Sequence, residues 1–188
     1  MTRLGLERIS CFRGGRLLFE DLSLTLLPGE GMLVTGANGV GKSSLLRIAA
    51  GLLAPSSGRV VREGAVALST EAAALDEDRD LFAALDFWAR LDGRDEGAVA
   101  LALAAIGLAP LAEVPVRLLS TGQRRRATLA RVIASGAGIW LLDEPASGLD
   151  ADALGALSAA MAGHLAAGGV ILAASHQPLG IKMRELAL

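Results

Sequence analysis

Gly36-Ala37-Asn38-Gly39-Val40-Gly41-Lys42-Ser43 lies between a short apolar run, Met32 to Thr35, and a segment, Lys42 to Leu53, in which Leu45, Leu46, Ala49 and Leu52 recur at helical spacing. Strand, glycine-rich turn and helix in this order make a phosphate-binding loop. Glycines let backbone N–H groups wrap phosphate oxygens without side-chain obstruction, and the helix N-terminus adds roughly half a positive charge. The pattern assigns Gly36, Ala37, Asn38, Gly39, Val40, Gly41, Lys42, Ser43 and Ser44 to nucleotide binding. Lys42 would reach the β- and γ-phosphates, and Ser43 would offer its hydroxyl to Mg²⁺. The bland alternative is a glycine-rich turn with no ligand; the full spacing with both flanks speaks against it.

Downstream, Gly138 to Leu142 is an apolar run that ends in Asp143 and Glu144. Such a strand places Asp143 near the magnesium, and Glu144 can orient or deprotonate an attacking water. Acidic residues often close strands, so the pair gains meaning only beside a phosphate loop. His176 follows the apolar strand Val170 to Ala174 and is a candidate γ-phosphate sensor; alone, it would read as structural. Leu119-Ser120-Thr121-Gly122-Gln123 precedes a helix that opens with Arg124-Arg125-Arg126. Hydroxyl, glycine and helix N-terminus together make a second anion site, against the plainer reading of a capped helix with a solvated basic face. One nucleotide cannot use both sites within one small domain, which points to the nucleotide of a partner.

The rest of the chain fits an α/β domain. Leu22, Leu24 and Leu26 alternate with Ser23 and Thr25 as a half-buried strand, Pro28-Gly29-Glu30 turns the chain, and Arg59–Arg62 and Ala65–Ser69 flank Gly64 as two short strands. Glu71 to Val116 is alanine-rich and helical, with Asp95 as an N-cap. From Ser120 the order is helix, strand, helix (Ala151 to Ala167), strand, which implies a mostly parallel, helix-covered sheet. The expectation is one domain over 1–188, with 1–70 and 138–188 as core and 71–137 as an inserted helical lobe.

Composition sets bounds. At 188 residues the chain buries enough surface to need no staples. A net charge of −2 argues against general binding to nucleic acid or anionic lipid. Cys11 is the only cysteine, which excludes an intramolecular disulfide and a multi-cysteine zinc site, and it reads as a small buried apolar residue. Mean hydropathy is high at +0.48. Even so, the longest stretch free of Asp, Glu, Lys, Arg and His, Gly97 to Ala112, is shorter than the ~20 residues of a membrane span and contains Pro110. Glu7 and Arg8 interrupt any signal-peptide core. The chain is expected to be neither secreted nor self-anchored, so at a membrane other proteins would have to hold it.

Taken together, the phosphate loop, Leu119–Gln123, Leu141–Pro145, Ser147–Asp150 and Ser175–His176 occur in the order seen in ABC ATPases, and the chain resembles that family from about Gly36 to Gln177. Residues 119–126, 140–145, 164–169 and 175–179 further resemble the ATP-binding subunits of bacterial haem exporters in cytochrome c maturation. The resemblance implies a P-loop NTPase core with a mostly parallel sheet, antiparallel N-terminal strands and the inserted helical lobe. It implies head-to-tail homodimers, with ATP and Mg²⁺ held between one chain's phosphate loop and the other's Ser120, Thr121, Gly122 and Gln123. It also implies that Asp150 lies in a loop crossing that interface, that Phe12 stacks on adenine, and that integral-membrane transporter subunits are partners, with no nucleic acid.

The chain departs from the family in lacking a glutamine between core and lobe. The expected place falls at Glu71 or Ala72, so either Glu71 substitutes as a contact to Mg²⁺ or the contact is lost. The tail after His176 is also short. Three functions compete: a transport ATPase for haem or another substrate, a nucleotide-switched clamp on nucleic acid, and a binding-only subunit. Clamps carry long coiled-coil insertions that this chain lacks. Lys42, Asp143, Glu144 and His176 are all present, which favours hydrolysis.

Overall fold

Two kinds of hydrophobic pattern build two sheets. The computed structural model describes residues 2–70 and 75–188. The long N-terminal strands β1 (Arg3–Arg13) and β2 (Arg16–Leu26) join through the tight turn Gly14–Gly15, and β1 also pairs with β4 (Ser57–Glu63). All pairing in this sheet is antiparallel, in the order β2-β1-β4. The second sheet is parallel throughout, in the order β5-β6-β7-β3-β8, with β3 (Gly31–Thr35), β5 (Val66–Ser69), β6 (Ile139–Asp143), β7 (Val170–Ala174) and β8 (Arg184–Ala187).

The apolar runs of β6 and β7 are continuous because both faces are covered. Ile139, Leu141, Val170 and Leu172 pack with Leu4, Leu6 and Leu26 of the antiparallel sheet and with Leu45 and Ile48 of helix α1 (Lys42–Ala50). Trp140, Leu142, Ile171 and Ala173 point the other way. They join the core shared by α2 (Leu81–Leu91), α3 (Glu96–Ala105), α4 (Thr121–Ala134) and α5 (Ala151–Ala166). Asp80, Asp95 and Asp150 each cap a helix, accepting from the N–H three residues on.

Some sequence expectations shift. Helix α1 stops at Ala50 rather than Leu53, because Gly51 adopts a left-handed φ of 82° and its N–H turns back to the carbonyls of Arg47 and Ile48. Leu52, counted above on the helix's apolar face, is therefore 72% exposed. The Arg62 guanidinium reinforces the same helix end by donating to the Ile48 and Ala49 carbonyls. The short tail still adds a strand: β8 pairs beside β3. Cys11 is buried, and desolvation pushes its thiol above the ordinary range, as suits an inert packing residue. No helix among the described residues is long and apolar enough to cross a membrane.

Candidate active site

Strand order creates the site. β6, β7 and β3 are neighbours and parallel, so their carboxyl ends open side by side, where ligands bind in open α/β sheets. β3 leads into Gly36–Gly41, β6 ends at Asp143 and leads to Glu144, and β7 leads to Ser175 and His176. Three segments far apart in sequence thus meet at one edge.

Their side chains converge. Lys42 Nζ, buried on the first turn of α1, donates to the Gly36 carbonyl at 2.8 Å and the Ala37 carbonyl at 3.3 Å. It also lies 2.9 Å from His176 Nε2, which is 2.6 Å from Asn38 Oδ1 and 3.4 Å from Glu144 Oε1. The His176 N–H donates to Glu144 Oε2 at 3.2 Å. A cleft of about 210 Å³ opens beside this cluster, lined by Asn38, Gly39, Gly41, Lys42, Ser43, Ser44, Asp143, Glu144 and Leu18. Cation, hydroxyls and exposed loop N–H groups on one wall face two carboxylates on the other. Such a cleft can hold a polyphosphate, and Ser43 with Asp143 offers hard oxygen donors suited to Mg²⁺, which completes its shell with water and phosphate oxygens.

The glycines are needed where the backbone is strained or crowded. Gly41 has φ 127°, and a Cβ there would lie 3.1 Å from Phe19 Cδ1 and 3.2 Å from Leu18 Cβ. Gly41→Ala should therefore weaken ATP binding through about 1–3 kcal/mol of strain, roughly 5- to 150-fold in Kd. Titration with a fluorescent ATP analogue measures this, and an unchanged Kd would show that the loop does not need this conformation.

The other candidates are placed as follows. Ser120 is the N-cap of α4: its Oγ accepts from Gln123 N–H at 3.3 Å, while Ser120 N–H donates to Gln123 Oε1 at 2.8 Å, a closed capping box. Thr121 and Gly122 form the first turn, and a Cβ on Gly122 would come 3.3 Å from the Gly148 carbonyl, so this turn packs against the loop before Asp150. None of Ser120–Gln123 lines the cleft. Asp150 caps α5, accepting from Ala153 N–H at 2.8 Å. Phe12 lies near the end of β1 opposite Leu17 and is 60% exposed; the cleft wall is formed by the next residue of β2, Leu18, and not by Phe12. Glu71 and Ala72 lie outside the described residues.

The three consecutive arginines near the start of α4, Arg124–Arg126, do not form a solvated basic face. Arg124 pairs with Glu77 at 2.7 Å, Arg126 donates to the Ile106 carbonyl, and Arg125 is buried. Arg125 and Leu18 are the residues of this region that motif reading passes over. A charge in an arginine run and a leucine in a strand carry no local mark of their destination.

The fold and the converging site define an ATP-binding cassette, and residues 19–147 match the model of the ABC transporter family. The chain belongs to the ABC transporter family, as an ATP-binding, ATP-hydrolysing subunit that works with membrane subunits. It is 58% identical over 178 residues to the cytochrome c biogenesis ATP-binding export protein CcmA of Sphingopyxis alaskensis, covering 95% of this chain and 92% of that protein. The protein of the same name from Zymomonas mobilis is 55% identical over 178 residues, covering 95% and 80%. Among solved structures, a transporter assigned to the metal-chelate ABC type, in an inward-facing conformation, superposes with a TM-score of 0.85 at 25% identity over 100% of this chain and 80% of that one.

Proposed function

We propose that this chain is the ATPase of a cytochrome c biogenesis exporter, with haem as the cargo of its membrane subunits. The 58% identity sustained over 95% of the chain carries the assignment. Cytochromes c contain haem, so an exporter in their biogenesis handles haem or a group required to attach it. ATP is supplied on the cytoplasmic side, which puts the chain on the inner face of the membrane.

In this reading the N–H groups of Gly36–Lys42 and the end of α1 bind the phosphates, and Lys42 leaves the Gly36 and Ala37 carbonyls to reach the β- and γ-oxygens. Ser43 and Asp143 would hold Mg²⁺, which neutralises phosphate charge when bound. Glu144 accepts the proton of the attacking water, and His176, beside both Lys42 and Glu144, responds to the γ-phosphate. Phe12, exposed near the cleft wall, stacks on adenine. Ser120–Gln123 lie off the cleft, which supports a homodimer in which each chain's α4 N-terminus meets the nucleotide of the other, with Asp150 in the adjoining loop.

The test is genetic. Cells without this chain should lose nearly all haem-stained c-type cytochrome, and the wild-type chain should restore it where Lys42→Ala does not. Normal cytochrome c content in the deletion strain would overturn the cytochrome reading while leaving the ATPase intact.

A further inference from the structure

Glu144 is held in an unusual backbone conformation. Its φ is 46°, in the left-handed region, which costs a non-glycine residue on the order of 1–3 kcal/mol. Such a conformation persists only where the surroundings hold it. On one side, Glu144 N–H donates to the Ala174 carbonyl of β7 at 2.8 Å. On the other, the chain has left β6: the Glu144 carbonyl accepts from Ser147 N–H at 3.1 Å, and the Asp143 carbonyl needs a donor.

Arg125 supplies it. Its guanidinium Nη2 donates to the Asp143 carbonyl at 2.7 Å and also to the Glu144 carbonyl, and Nη1 donates to the Thr70 carbonyl at 3.3 Å. The residue is only 8% exposed, so these charge-assisted bonds form away from bulk water, where they are strongest. Arg125 stands in the first turns of α4, the helix capped by Ser120. One planar cation therefore ties the end of β5, the end of β6 and the start of α4 together.

We propose that Arg125 is a positioning residue for ATP hydrolysis: it fixes the Asp143–Glu144 turn, aims the Glu144 carboxylate, and links that aim to the position of the helix capped by Ser120. The inference rests on the assignment of Glu144 as general base. With N–H and C=O both anchored and the carboxylate received by His176 N–H, the Glu144 side chain keeps little freedom. Displacing a base by about 1 Å costs on the order of 10²-fold in rate. Arg125 is not among the residues that line the cleft, so ATP binding should not depend on it.

The test uses the full-length chain assembled with its membrane subunits. Arg125→Gln should lower kcat about 10- to 100-fold, with KM for ATP and the Kd of a fluorescent ATP analogue within about threefold of wild type. Arg125→Lys, which keeps the charge but can serve fewer carbonyls at once, should recover part of the loss. In single-turnover measurements on a Glu144→Gln background, Arg125→Gln should cause little further loss, because the base it aims is gone. A wild-type kcat in Arg125→Gln, or a full multiplicative loss on top of Glu144→Gln, would overturn the proposal. If Arg125→Gln does not fold, Arg125→Lys decides: a reduced kcat at unchanged KM supports the proposal, and wild-type kcat ends it. Wild-type enzyme without Mg-ATP turnover, or Glu144→Gln with full turnover, would instead indict the underlying assignment.

Discussion

Glu144→Gln lowers ATP turnover by about 10²–10⁴-fold, the usual range for removing a general base, and leaves ATP binding intact. Glutamine keeps the length and one carbonyl oxygen, so it can still accept from the His176 N–H that now reaches Glu144 Oε2 at 3.2 Å. The phosphate loop, whose contacts come from Lys42 and the backbone, is untouched. What is lost is the ability to take a proton from water. With hydrolysis blocked, Mg-ATP should also hold the variant as a dimer in sedimentation or light scattering. Phosphate release is the direct readout; wild-type turnover in this variant would remove Glu144 from the mechanism.

Ser120→Arg should abolish ATP-driven dimerisation and lower turnover by about 100-fold or more, the scale of losing preorganised donors at a transferring phosphoryl group. ATP binding to the monomer should survive. Ser120 is exposed at the N-terminus of α4, where an arginine side chain would occupy the space that a partner's nucleotide needs. The substitution also breaks the capping box, at about 1 kcal/mol, so Ser120→Ala serves as the control with the cap lost and the space open. A dimer of Ser120→Arg in Mg-ATP, seen in the Glu144→Gln background, would show that the second anion site does not face another chain's nucleotide.

Much of the site was legible because its chemistry is local. Gly36–Ser43 requires consecutive residues, since the glycines, lysine and hydroxyl act within one strand-to-helix turn. Asp95 is readable as a cap because the N–H it accepts from belongs to Ala98. Strand β7 is readable because it is apolar without interruption. Where backbone conformation or a distant contact decided, sequence reading fell short. The end of α1 depended on Gly51 turning left-handed. Strand β1 carries a register shift between Leu6 and Ile9, with Arg8 at φ 50°, which blurs the alternation that would mark a strand. Leu18 had nothing in its surroundings to mark its place at the cleft wall.

By itself the sequence determined the class of fold, the nucleotide chemistry and the residues proposed to carry it, because each motif is a short run whose spacing fits one mechanism. Only the tertiary structure decided that β6, β7 and β3 are neighbours, so that Lys42, Glu144 and His176 meet within hydrogen-bonding distance. It likewise decided that Arg125 turns inward to the Asp143 and Glu144 carbonyls while Arg124 turns to Glu77. Strand order and the burial of one arginine among three depend on packing between segments dozens of residues apart. A guanidinium has the same five donors in either setting, and only the carbonyls brought to it determine which it serves.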